Sequence, residues 1–88
     1  MTGVYLIHFE KPFEHARHYL GYADNIERRF KLHQKGRAAR LTQVVTQSGI
    51  GLILARVWEG KDRNFERRLK NQNNGPRLCP ICREAHNE

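Results

Sequence analysis

Gly3-Val4-Tyr5-Leu6-Ile7-His8-Phe9, answered later by Tyr19-Leu20-Gly21, sets the architecture of this chain. Residues 4–9 mix β-branched, aromatic and aliphatic side chains with no breaker among them, which is strand composition. Residues 10–14 hold Pro12 among charged neighbours and read as a turn. Residues 16–23 read as a second strand, so the two segments make an antiparallel hairpin. A hairpin symmetrical about Pro12 sets position 5 opposite position 19, and Tyr5 and Tyr19 then stand side by side on one face.

Downstream of the hairpin, Asp24 or Asn25 can cap a helix that runs to about Gln34 and stops at Gly36. At about 100° per residue, Ile26, Arg29, Phe30 and His33 share one side of it. Ile26 and Phe30 must face the sheet, so Arg29 and His33 are expected at the edge of the core, where an unpaired charge is costly. Residues 38–47 give a second short helix with Leu41, Val44 and Val45 as its apolar stripe, broken by Ser48-Gly49. Residues 51–58 read as a third strand, expected to be central or the most buried. Asp62 can cap a third helix to about Asn71, with Phe65 and Leu69 facing inward and Glu66 beside them. The expected fold is therefore α+β: a single small domain, a three-stranded, mostly antiparallel sheet flanked by helices, in the order β-β-α-α-β-α. It spans residues 1–75, and residues 76–88 form a polar, loosely attached tail that carries Cys79-Pro80-Ile81-Cys82.

Eighty-eight residues suit one domain. A chain of this size buries only about 60–65% of its unfolded surface, so its core is modest. No run approaches the roughly 20 apolar residues of a membrane span. Met1-Thr2-Gly3 enters a strand at once, without the pattern of a signal peptide, so a cytoplasmic location is expected. The net charge is +7, from 16 Lys and Arg against 9 Asp and Glu. Most of it lies in two windows. Between Asn25 and Arg40 six cations oppose Glu27 alone, and between Lys61 and Lys70 five oppose Asp62 and Glu66. Such one-sided clustering is the footprint of a polyanionic partner, because each phosphate contact releases a condensed counterion. Neither window has the wide apolar face of a membrane-surface helix. A merely solubilising surface is the plainer alternative.

With Tyr5, Tyr19, Arg29, His33 and Glu66 in order, the chain resembles the GIY-YIG nuclease family. Gly3-Val4-Tyr5 is similar to the first cassette of the family and Tyr19-Leu20-Gly21 to the second, with Val4 and Leu20 in place of isoleucines at packing positions. Arg29 stands where the family has its catalytic arginine, His33 where it has His or Tyr, and Glu66, in Phe-Glu-Arg-Arg-Leu-Lys, where it has its metal-binding glutamate. The resemblance covers residues 3 to about 70. An asparagine often follows the last helix in the family; Asn73 and Asn74 are candidates whose spacing does not match cleanly. The resemblance implies a metal-dependent endonuclease that hydrolyses phosphodiester bonds in DNA with Mg²⁺ or Mn²⁺, one strand per active site, acting alone, as a homodimer or with a targeting protein.

The residue chemistry agrees with that implication. Phosphodiester hydrolysis needs an activated water, neutralised charge on the phosphate and a stabilised leaving oxygen. Mg²⁺ keeps several waters and needs few protein ligands, so Glu66 can suffice. Arg29 can fork onto a phosphate as Lys cannot. Tyr5 or Tyr19 can take the proton of the water, and His33 can orient the water or a tyrosine, or shuttle a proton. Lys31, Lys35, Arg37 and Arg40 are the candidates for holding the nucleic-acid backbone, with Arg63, Arg67 and Arg68 behind them; such contacts position a strand without reading its sequence.

Each residue also has a duller reading. The tyrosines can be ordinary sheet aromatics, Arg29 a solvated cation, His33 a satisfied core-edge histidine and Glu66 an i,i+4 partner of Lys70. His8, His15 and His18 have no convergent spacing and read as structural or solvent-facing. Cys79 and Cys82 form one CxxC, His86 can supply a third ligand, and no fourth is evident nearby. Two reduced cysteines are therefore expected rather than zinc, which takes four ligands. The rival functions are a catalytically silent nucleic-acid-binding module, or a subunit dependent on a targeting partner, and a zinc-stabilised protein-interaction domain.

Overall fold

Strand β1 (Gly3–Phe13) and strand β2 (Ala16–Ala23) form the hairpin that the first motif implies. A computed structural model describes residues 1–72 and 75–86, and there helix α1 (Ile26–Gln34), helix α2 (Arg40–Gln47), strand β3 (Leu52–Glu59) and helix α3 (Arg63–Gln72) follow in turn. Two short helices, α4 (Gly75–Leu78) and α5 (Pro80–His86), complete the described chain. The sheet is antiparallel throughout, in the order β2-β1-β3. This is the α+β domain expected, with two corrections to its sheet.

The first correction concerns which strand is central. The third strand was expected in the middle, but β1 is there and β3 lies at an edge. β1 has the composition for the position: Val4, Tyr5, Leu6, Ile7 and Phe9 are at most 2% exposed, against mostly half-buried residues in β3. Both faces of β1 are covered, and each of these side chains contributes about 1.5–3 kcal/mol through burial.

The second correction concerns register. The hairpin turns at Glu14 and His15, with Glu14 in the left-handed region (φ 54°), and not around Pro12. Tyr5 therefore pairs with Gly21, and Tyr19 pairs with Ile7. Pro12 is tolerated because the β1–β2 ladder is irregular between His8 and Phe13, and β3 pairs only as far as Phe9. The displacement is two residues, so parity is preserved and both tyrosines still share a face.

On that face Tyr5, Ile7, Phe9 and Ala23 pack with Leu52, Leu54 and Val57 against Ile26 and Phe30 of α1 and Leu41 and Val45 of α2. A bulge at Ala55 lets Val57 pair with Tyr5 and Leu54 with Ile7, which keeps both on the core face. The opposite face carries Val4, Leu6 and His8. There Trp58, paired with Val4, meets Phe65 of α3 with ring centroids 6.0 Å apart. Gly3 has no room for a side chain: a Cβ would collide with the Trp58 carbonyl oxygen.

The helices start and stop where their signals place them. Asn25 Oδ1 accepts from the Arg28 N–H at 3.1 Å, and Gly36 takes φ 72° after α1. Asp62 Oδ1 likewise accepts from the Phe65 N–H at 3.0 Å. The loosely attached tail is a third correction. Residues 75–78 and 80–86 are helical, Cys79 is fully buried, and Arg56 donates to the Leu78 carbonyl at 3.3 Å.

Candidate active site

Tyr5 and His33 meet beneath the start of α2. The Tyr5 hydroxyl lies 2.7 Å from His33 Nε2, and His33 Nδ1 lies 2.6 Å from Thr42 Oγ1. Thr42 Oγ1 in turn donates to the Ala39 carbonyl at 3.2 Å. A hydroxyl has one proton, so Thr42 must accept from His33 Nδ1–H. His33 Nε2 is then bare and accepts the phenolic proton of Tyr5. The directions of all three bonds follow from one backbone carbonyl.

Tyr19 completes an aromatic cluster. Its ring centroid lies 4.8 Å from that of His33 and 6.3 Å from that of Tyr5, while Tyr5 and His33 meet edge-on at 5.7 Å. Tyr5 and His33 are fully buried; Tyr19 is half-buried and reaches the surface. Gly21 explains why the second cassette ends in glycine. A Cβ there would stand 2.7 Å from Tyr5 Cζ and hydroxyl oxygen and 2.9 Å from Tyr19 Cε1. The two rings occupy the volume that a side chain would need.

Arg29 and Glu66 act on this pair through their charges. Burial first, then Tyr19, pushes the Tyr5 phenol well above the usual range; Arg29 opposes the shift and Glu66 adds to it. Burial, with Arg29 behind it, holds His33 down at about 4. The free site thus pairs a protonated phenol with a neutral imidazole. Arg29 departs from its expected place: it is exposed, beside a pocket lined by Asp24, Asn25, Arg28 and Leu32, and not at the core edge. One turn earlier than His33 on α1, it has its guanidinium at the surface, where a charge needs no partner. Among the described residues no ion pair engages it.

Glu66 is half-buried on α3 and pairs with exposed Lys70 at 3.4 Å. That i,i+4 pair is weak and gives way readily. The Glu66 carboxylate is a hard oxygen donor, the kind of ligand that hard divalent ions take. Lys31, Lys35, Arg37 and Arg40 are all exposed along α1 and the start of α2. Asn73 and Asn74 lie outside the described residues.

Sequence reading missed Thr42. Its one available signal was a hydroxyl residue in the otherwise apolar stripe of α2. It also missed a second cluster. His8, His18, Cys79 and Cys82 bring one ligand atom each to within 4.8 Å of one another, which overturns both the absence of a fourth ligand near the CxxC and the unconverged reading of His8 and His18. The side chain of His86, the third ligand considered, lies outside the described residues.

A family model described as the GIY-YIG catalytic domain matches residues 1–77 of the chain. No curated protein and no solved structure matches it.

Proposed function

Because the chain belongs to the GIY-YIG catalytic-domain family, whose members form a nuclease superfamily, we propose that it is a metal-dependent endonuclease hydrolysing DNA phosphodiester bonds, one strand per active site. The observation that carries this reading is the Tyr5–His33–Thr42 chain of hydrogen bonds, set beside Tyr19 and within electrostatic reach of both Arg29 and Glu66.

Tyr5 donates a hydrogen bond to His33 Nε2, so the lone pairs of its oxygen are free to accept from a water. As that water attacks phosphorus, its proton passes to Tyr5 and the phenolic proton moves on to His33. Tyr5 is neutral before and after this transfer, which fits a phenol that burial keeps protonated. His33 is a weak acceptor in the free protein. A phosphate drawn to Arg29 offsets that guanidinium, one of the two causes of the depression, and makes the imidazole a better acceptor when substrate is bound. Arg29 grips the phosphate oxygens in a fork. Tyr19, at the surface side of the cluster, orients the water or the phosphate. Glu66 holds the divalent ion, which when bound neutralises charge on the phosphate oxygens.

Lys31, Lys35, Arg37 and Arg40 hold the DNA backbone beside the site, and sequence choice falls to DNA shape or a targeting partner. A double-strand break then takes two molecules, as in a homodimer, or two visits. A cytoplasmic setting belongs to the same reading. No helix among the described residues is long and apolar enough to cross a membrane.

Relaxation of supercoiled plasmid tests the proposal. Wild-type protein is expected to nick it with Mg²⁺ or Mn²⁺, and Glu66→Ala to lose roughly a hundredfold or more of that rate while still binding DNA. Full nicking by Glu66→Ala would remove Glu66 from the site. DNA binding without nicking by the wild type would favour the silent binding module.

A further inference from the structure

We propose that His8, His18, Cys79 and Cys82 form a structural zinc site that clamps the C-terminal helix α5 onto the hairpin. His8 and His18 are direct cross-strand partners on β1 and β2, with rings 5.3 Å apart. Cys79 lies just before α5, whose first residue is Pro80, and Cys82 lies within its first turn. The CxxC motif thus docks on a histidine pair that no sequence spacing connects to it.

Four of the six separations between the ligand atoms are those of a tetrahedron, and all lie within 4.8 Å. Zinc binds imidazole nitrogen at about 2.0–2.1 Å and thiolate at about 2.3 Å, so tetrahedral ligand atoms stand roughly 3.3–3.8 Å apart. His8 Nδ1 and His18 Nε2 are 3.4 Å apart. Cys79 Sγ and Cys82 Sγ lie 3.4 and 3.6 Å from His8 Nδ1, and Cys82 Sγ lies 3.4 Å from His18 Nε2. Hydrogen bonding alone gives little reason for this convergence, since a thiol is both a weak donor and a weak acceptor.

Donor chemistry selects the ion. Two thiolates and two imidazoles form a closed soft set that suits zinc and excludes Mg²⁺ or Ca²⁺. Binding releases the two thiol protons to solvent. The position indicates the role: His18 and Tyr19 are adjacent on β2 and point to opposite faces, so this cluster lies across the sheet from the tyrosines. With four protein ligands it has no open position for substrate. The benefit is a cross-link between residues 71 positions apart, His8 and Cys79, in a chain with a small core.

Protein expressed without a polyhistidine tag and purified without chelator tests it by elemental analysis and X-ray absorption at the zinc edge. One zinc per chain with two sulfur and two nitrogen neighbours is expected. Cys82→Ser and His18→Ala should each lose nearly all the metal, and His15→Ala, in the exposed turn, should keep it. Should the first two fail to fold, wild-type protein decides: a zinc-selective chelator should lower its Tm by more than about 10 °C, reversed by added zinc. Zinc-free protein with two alkylatable thiols, a Cys79–Cys82 disulfide, or zinc without sulfur neighbours would each overturn the site.

Discussion

Thr42 Oγ1 donates to the Ala39 carbonyl, and from that bond follow the tautomer of His33 and the direction of the Tyr5 proton. Thr42→Val removes the acceptor of a buried imidazole N–H, a loss of about 1–3 kcal/mol. A fall in Tm of at least about 4 °C is expected, together with slower nicking; an unchanged Tm and rate would show that Thr42 does not set the pair. His33 also couples stability to pH. Its folded pKa lies near 4 and its unfolded value near 6.5, so the unfolded chain binds more protons between the two. The stabilisation is present above about pH 6.5 and is lost as pH falls toward 4, by up to about 3 kcal/mol. Urea melts at pH 7 and about pH 5 should show a smaller drop for His33→Asn than for wild type; equal drops would contradict the assignment. Tyr5, Tyr19 and His33 were legible in the sequence because strand and helix periods carry them to one face. Thr42 was not, because the packing of α2 on α1 leaves no spacing rule between residues 33 and 42.

At the scale of elements, the hairpin is the part that most directly shapes the site. Gly21 lies under both tyrosine rings, so Gly21→Ala must push at least one aside. Overpacking of this kind costs about 1–3 kcal/mol, and a loss of activity out of proportion to that cost is expected, read as nicking rate against Tm. Wild-type nicking by Gly21→Ala would mean that the ring positions matter little. The hairpin, the capped helices and the shared tyrosine face could be read from residue types. The turn could not, because Pro12 signals a turn yet lies in an irregular stretch of strand beyond the end of β3. Nor could the strand order: β1 and β3 are both apolar, and the burial of both faces of β1 separates them only once the helices are in place.

For the molecule as a whole, the sheet separates the Tyr5, Tyr19 and His33 cluster on one face from the nitrogen and sulfur groups of His8, His18, Cys79 and Cys82 on the other. The basic windows were plain from composition, and Lys31, Lys35, Arg37 and Arg40 are all exposed. Log–log plots of DNA affinity against salt should fall steeply, and Lys35→Gln with Arg37→Gln should reduce the slope by roughly 1–2; an unchanged slope would place DNA elsewhere. The tail was illegible because its partners, His8 and His18, are brought together by cross-strand pairing rather than by sequence spacing. The most direct test of the catalytic account is anomalous scattering from crystals soaked in Mn²⁺ at a concentration that supports nicking. A peak is predicted at the Glu66 carboxylate, within reach of a phosphate held by Arg29. Manganese absent from Glu66 in protein that nicks under the same conditions would contradict it.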